Sequence, residues 1–206
     1  MNIINTIKKI FGSIIYDDSI DHEGVKVLHI TDTPTTSYGA IINLIEALRP
    51  DYIIHTGDLA DNIKLEIYPE KIDLYNKKVR KFLLNLESFD CERYIVIGNH
   101  DNPVFIKKAL EGTQVVETYK AIRICNRNFL ITHKLDDILN EEKLIQSSDY
   151  ILHGHSFYDV KFSKHIKVLN GLEGIYLIYP ETNRIYQIEY PIGTNDSRMQ
   201  RFGTGI

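Results

Sequence analysis

From Val25 onward the chain alternates short apolar runs with stretches whose apolar residues recur every three or four positions. Val25, Val27, Leu28 and Ile30 form the first run, stopped by Thr31-Asp32-Thr33-Pro34, which predicts a buried strand ending in a loop. Ile41, Ile42, Leu44, Ile45 and Leu48 then supply a helical stripe that stops at Arg49-Pro50. A second strand, Tyr52-Ile53-Ile54, leads into Gly57-Asp58. A longer helix is predicted over residues 69–86, where Ile72, Tyr75, Val79, Phe82, Leu83 and Leu86 share one face and Pro69 suits the first turn. A third strand over residues 94–97 runs into Gly98-Asn99-His100-Asp101, with a short helix at residues 104–110 after it. The texture then shifts to paired strands. Residues 121–125 and 128–132 predict a hairpin turning at Asn126-Arg127, and Leu135, Ile138, Leu139 and Leu144 predict one helix. A strand over residues 150–152 runs into His153-Gly154-His155, and further strands are expected around Val160, Val168, Tyr176 and Tyr186. The reading is one α/β domain at residues 23–190, with a loose tail at residues 191–206.

Upstream, Ile3, Ile7, Ile10 and Ile14 at helical spacing predict an amphipathic segment within residues 1–22. Lys8 and Lys9 interrupt it where a signal peptide would be unbroken, so it is expected to dock on the domain or on a protein partner. No window approaches the ~20 apolar residues of a membrane span. With 206 residues, 43% hydrophobic and 25% charged, the chain fits one soluble core. Its net charge of −4 supplies no general basic field, which argues against nucleic acid as a bulk partner but leaves room for a small phosphorylated molecule drawn to a local cation. The two cysteines, Cys91 and Cys125, lie far apart and outside any metal-binding spacing, and are expected as reduced thiols of a cytoplasmic protein.

Loops at the carboxyl ends of strands in an α/β sheet converge on one crevice. Every polar motif here sits at such an end: Asp32, then Asp58 and Asp61, then Asn99, His100 and Asp101, then His133, then His155. Singly each is a weak signal, but their order and their placement directly after apolar runs point to one metal site. Carboxylate, amide and imidazole donors without thiolate suit manganese, iron, zinc or a similar divalent ion. His29 and His55 lie inside strands and are expected as buried neutral imidazoles.

Read in series, Asp32-Thr33-Pro34, Gly57-Asp58-Leu59-Ala60-Asp61, Gly98-Asn99-His100-Asp101, His133 and Gly154-His155-Ser156-Phe157 resemble the blocks of the calcineurin-like metallophosphoesterase family. Its pattern is D-x-H, G-D-x-x-D, G-N-H-D/E, a lone H, and G-H-x-H. Val168-Leu169-Asn170-Gly171 also looks like a segment of its small bacterial phosphodiesterase branch. The resemblance implies a four-layer α/β/β/α sandwich. It further implies that Asp58 bridges two ions, that Asn99, His133 and His155 complete one subsite, and that Asp32 belongs to the other. His100 would protonate a leaving group or contact a phosphate oxygen, with Asp101 orienting it, and Asp61 would support a ligand or cap a helix.

This chain departs from the pattern at two positions, Pro34 and Phe157, where the family has histidine. Neither side chain offers a lone pair, and both belong to the Asp32 subsite. The expectation is one firmly held ion, with a second ion on Asp32, Asp58, water and phosphate as the open alternative. His22 and His165 are other candidates for a lost ligand, but nothing in the sequence places them beside Asp32. Two functions follow: a metal-dependent phosphoesterase acting on a small phosphodiester or phosphomonoester, or a retired member of the fold used for binding, as the retromer subunit of that family is.

Overall fold

Alternation decides which face each strand residue serves. In β1 (Val27–Ile30), Leu28 and Ile30 face the helices while Val27 faces a second sheet, and all four residues are buried. The computed structural model describes residues 13–157, 160 and 162–199. Strands β2 (Tyr52–His55), β3 (Glu92–Val96) and β4 (Gln114–Val116) extend β1 in parallel, and β9 (Ile175–Tyr179) and β10 (Arg184–Ile188) extend it antiparallel on the other side. The order is β10-β9-β1-β2-β3-β4. A second sheet has the order β5-β6-β7-β8, formed by β5 (Tyr119–Ile124), β6 (Arg127–Thr132), β7 (Tyr150–His153) and β8 (Lys167–Asn170).

Three apolar layers glue four layers of structure. Helices α1 (Tyr38–Leu48) and α2 (Ile72–Glu87) bury Ile41, Leu44, Ile45, Val79, Phe82 and Leu83 on the outer face of the first sheet. Each such side chain contributes about 1.5–3 kcal/mol on burial. Val27, Ile54, Val96, Phe129, Ile131 and Leu152 meet between the sheets. Leu130, Leu135, Ile138, Ile151 and Ile166 cover the outer face of the second sheet, giving the α/β/β/α sandwich.

Several expectations shift. The hairpin turns one residue earlier, at Cys125-Asn126, because both residues adopt positive φ (46° and 62°), the geometry a two-residue turn between twisted strands requires. The single helix expected at residues 135–144 is a 3₁₀ turn, Leu135–Ile138, followed by α4 (Glu142–Ser147), which comes after α3 (Pro103–Ala109) in the chain. Edge strand β4 has only three residues, too few for an alternation to register. Among the described residues no strand forms at Val160.

The tail expected to be loose from residue 191 instead forms α5 (Thr194–Met199), whose Arg198 is buried and donates from Nε to the Asp32 carbonyl at 2.7 Å. A buried guanidinium with carbonyl partners outweighs a turn-rich composition. Residues 200–206 and residues 1–12, where most of the amphipathic segment falls, lie outside the described residues. Ile14, Tyr16 and Ile20 pack against the helix-side core. No helix among the described residues is long and apolar enough to cross a membrane.

Candidate metal centre

The loops after β1 and β2 are tied to each other by their own backbones, and so are those after β6 and β7. The Asp32 N–H donates to the Gly57 carbonyl and the Thr33 N–H to the Asp58 carbonyl, both at 2.9 Å, and the Gly154 N–H reaches the His133 carbonyl at 3.2 Å. Asp32, Asp58 and His155 all adopt left-handed backbone, with φ of 45°, 56° and 67°. Each such residue costs roughly 1–2 kcal/mol, a strain that clusters at functional positions. The close approach also demands glycine: a Cβ on Gly98 would lie 2.2 Å from Asp58 Oδ1, and one on Gly57 2.5 Å from His133 Nδ1.

Asp58, His133 and His155 bring ligand atoms within 4.8 Å of one another, and Asn99 Oδ1 lies 3.0 Å from His133 Nε2. Supporting contacts orient them. His133 Nδ1 meets the Thr56 carbonyl at 2.7 Å, which turns Nε2 toward Asp58 Oδ2 at 3.5 Å. The Asn99 amide donates from Nδ2 to Glu66 at 2.6 Å, so its carbonyl oxygen faces the histidine. Burial opposes a charged His133, yet the Asp58 carboxylate raises its pKa to about 10. Burial likewise opposes the Asp58 anion, and His133 together with His100 holds its pKa below the usual carboxylate range. The His155 imidazole is lowered, first by burial and then by the His133 charge. The Asp58 carboxylate with the His133 and His155 imidazoles, and the Asn99 oxygen beside His133, make a set of oxygen and nitrogen donors around a buried anion that fits a divalent cation.

The sequence matches the calcineurin-like phosphoesterase family over residues 25–188. The chain belongs to that family. The phosphoesterase fold recurs in solved structures. Yfce, a phosphoesterase from E. coli, aligns with a TM-score of 0.52 at 13% identity, covering 81% of this chain and 100% of that one. TT1561 of Thermus thermophilus aligns with a TM-score of 0.52 at 11% identity, covering 82% of this chain and 99% of that one. At these identities the likeness is one of fold. No curated protein matches the chain.

In this family member the oxygens of Asp101 meet donors other than His100. Its Oδ2 accepts the N–H groups of Asp58 and Gly98, both at 2.8 Å, and its Oδ1 accepts the Leu59 N–H at 2.7 Å and the Tyr75 hydroxyl at 2.6 Å. The expected contact with the His100 imidazole is not among these four: both oxygens are occupied by other donors, and the carboxylate staples the β2 and β3 loops together. Burial and the Asp58 charge push its pKa up to about 6, against the pull of those donors. His100 instead accepts the Glu66 N–H at Nδ1, 3.3 Å away, and its own N–H donates to Asp58 Oδ1 at 2.8 Å. Burial lowers the His100 pKa.

On the Asp32 side, Pro34 is buried and offers no donor atom, while the Phe157 side chain is 65% exposed. Asp32 Oδ2 accepts the Thr31 hydroxyl at 2.6 Å and the His155 N–H at 3.1 Å. Asp61 is 3% exposed and pairs with Lys64 Nζ at 2.5 Å. Burial and the charges of Asp32 and Asp58 raise its pKa to about 7 while Lys64 pulls it down. Neither spare histidine replaces the lost ligands: His22 Nε2 bonds the Tyr186 hydroxyl and His165 Nε2 the Gln146 carbonyl. His29 and His55 are buried between strands, and burial drives both pKa values down, to about 3 for His55. His153 is buried too, with Nδ1 against the Gly154 carbonyl. Asn170 bonds the Ser156 carbonyl through Nδ2 at 2.9 Å, bracing the loop that carries His155.

Sequence reasoning misses Lys64, Glu66, Tyr75 and Arg198. Tyr75 reads only as an apolar helix position, and Arg198 sits in a segment without periodicity.

Proposed function

We propose that this chain is a one-ion phosphoesterase that hydrolyses a small phosphodiester or phosphomonoester, with Asp58, Asn99, His133 and His155 as the ion's ligands. The observation that carries this reading is the pair of orienting contacts behind the donors, Thr56 to His133 and Glu66 to Asn99, which a merely structural cluster does not need. Manganese, iron or zinc fits the donor set. When bound, a divalent ion supplies charge to phosphoryl oxygens and makes water more acidic. His100 is the chain's own contribution. With Nδ1 accepting the Glu66 N–H, its proton sits on Nε2, where it donates to a phosphoryl oxygen. A neutral imidazole held by burial serves as such a donor, so the resting state favours phosphate contact over protonation of the leaving group. Asp32 stays close through its bond to the His155 N–H and is a further ligand candidate.

The test is direct. Protein stripped of metal and reloaded with manganese should hydrolyse bis-p-nitrophenyl phosphate, with activity lost in Asn99→Ala and reduced about 10²–10³-fold in His100→Ala. No turnover of mono- or diester with any divalent ion would reject the enzyme.

Loss of donors at Pro34 and Phe157 favours a second reading, a retired binding module. Under it, Pro34→His combined with Phe157→His creates activity that the parent lacks. The two free cysteines are in keeping with a cytoplasmic setting.

A further inference from the structure

The two groups of closely spaced ligand atoms share only Asp58: one adds His133 and His155, the other adds Asp61 and His100. Around the second group the carboxylates of Asp32, Asp58 and Asp61 are only 2–4% exposed. Buried carboxylates require cationic partners, since isolating even one from water costs several kcal/mol. The family pattern meets this need with two ions. Here the residues lost from that pattern are histidines, replaced by Pro34 and Phe157, while Asp32 and Asp58 remain. Losing neutral imidazoles leaves the negative charge in place and removes the means of holding an ion beside it.

Resting on the one-ion reading above, we propose that Lys64 is a resident cation that stands in for the ion of the histidine-less subsite and keeps a second ion out. Its Nζ lies 2.5 Å from Asp61 Oδ1, and the pair is withdrawn from water, with side-chain exposures of 15% and 4%. Lysine is rarely buried unless paired. Its backbone is fixed as well: Lys64 takes φ of 55°, and its carbonyl accepts the N–H groups of Ile67 and Tyr68 at 2.9 Å. Arg198 adds a further cation, this one buried, beside Asp32, with Nε on the Asp32 carbonyl and Nη2 on the Thr31 carbonyl. One divalent ion and two monovalent side chains together carry the charge of two divalent ions. An extra ion held by Asp32 and Asp58 alone would therefore meet the positive charge paired with Asp61, without the imidazole nitrogens that would otherwise bind it.

The experiment counts ions. Elemental analysis of manganese-loaded parent protein should give one ion per chain, with the six-line paramagnetic resonance spectrum of an isolated ion. Lys64→Met should take up a second ion at millimolar manganese and show an exchange-coupled pair, whereas Lys64→Arg should retain one. A coupled pair in the parent overturns this inference alone and leaves the phosphoesterase reading intact. A folded Lys64→Met protein that still binds one ion overturns it too. A parent that binds no ion rejects both. Should Lys64→Met fail to fold, Lys64→Gln is loaded and counted in the same way: a second ion is the expected result, and a single ion overturns the inference.

Discussion

Asp101→Ala removes four hydrogen bonds at once, since the donors are the N–H groups of Asp58, Leu59 and Gly98 and the hydroxyl of Tyr75, all between 2.6 and 2.8 Å. The carboxylate is 8% exposed, so water does not readily replace it. A buried donor left without a partner costs about 1–3 kcal/mol. Allowing for relaxation of the loops and rotation of the tyrosine hydroxyl toward another acceptor, the loss is about 4 kcal/mol, a large part of the 5–15 kcal/mol that holds a typical domain. Asp101→Asn is milder. Its amide nitrogen can face Oδ1's partners, where Tyr75 can reverse and accept, so one backbone N–H is stranded and the cost is about 1–3 kcal/mol. Tyr75→Phe leaves Asp101 its three backbone donors and costs about 1 kcal/mol. Guanidinium unfolding in excess chelator is the assay, because a bound ion would add its own stabilisation and blur the comparison. The expected order is alanine, then asparagine, then the Tyr75 variant. If Asp101→Ala stayed within about 1 kcal/mol of the parent while abolishing turnover, the residue would belong to the chemistry and the stapling argument would be wrong.

Metal binding should be proton-linked. The folded pKa of His133 is raised to about 10, and a ligand nitrogen must be deprotonated, so the ion displaces a proton at neutral pH. Apparent affinity then climbs about tenfold per pH unit from pH 7 toward 10, and calorimetry in buffers of different ionisation enthalpy should report about one proton released per ion. A pH-independent affinity contradicts it. In the metal-free chain the same raised pKa means that the His133–Asp58 pair stabilises the fold fully below about pH 6.5, and that this contribution fades as pH rises through about 10. Arg198→Ala strips donors from the carbonyls of Thr31, Asp32 and Leu172 and should cost about 2–3 kcal/mol in the same unfolding assay, where a negligible loss would mean that α5 is not docked. Gly98→Ala drives a Cβ to 2.2 Å from Asp58 Oδ1, so metal affinity should drop at least about tenfold, read by titration calorimetry; unchanged affinity would show that this loop is free to move.

Sequence alone determined the α/β character of the chain and which polar residues end its strands, and the family resemblance supplied the layered architecture. Leu28 and Ile30 against Val27, or Leu130 against Ile131, alternate because a strand has only two faces, and that period is written in the chain. That Asp32, Asp58, Asp61, Asn99, His100, His133 and His155 approach one another was legible because strand-end loops of an α/β sheet open on one crevice, whereas the choice of Asp58, Asn99, His133 and His155 as a ligand set came from the family resemblance. Tertiary structure decided how the remaining polar groups are spent. Asp101 follows His100 directly, but adjacency in sequence says nothing about which loop its oxygens will face, and they face Asp58 and Leu59. Lys64 in a loop and Arg198 in a turn-rich tail carry no periodic signature. Their meaning is electrostatic: Asp61 lies only three residues before Lys64, but it is the fold that buries this pair beside Asp32 and Asp58 and carries Arg198 to the Asp32 carbonyl from the far end of the domain.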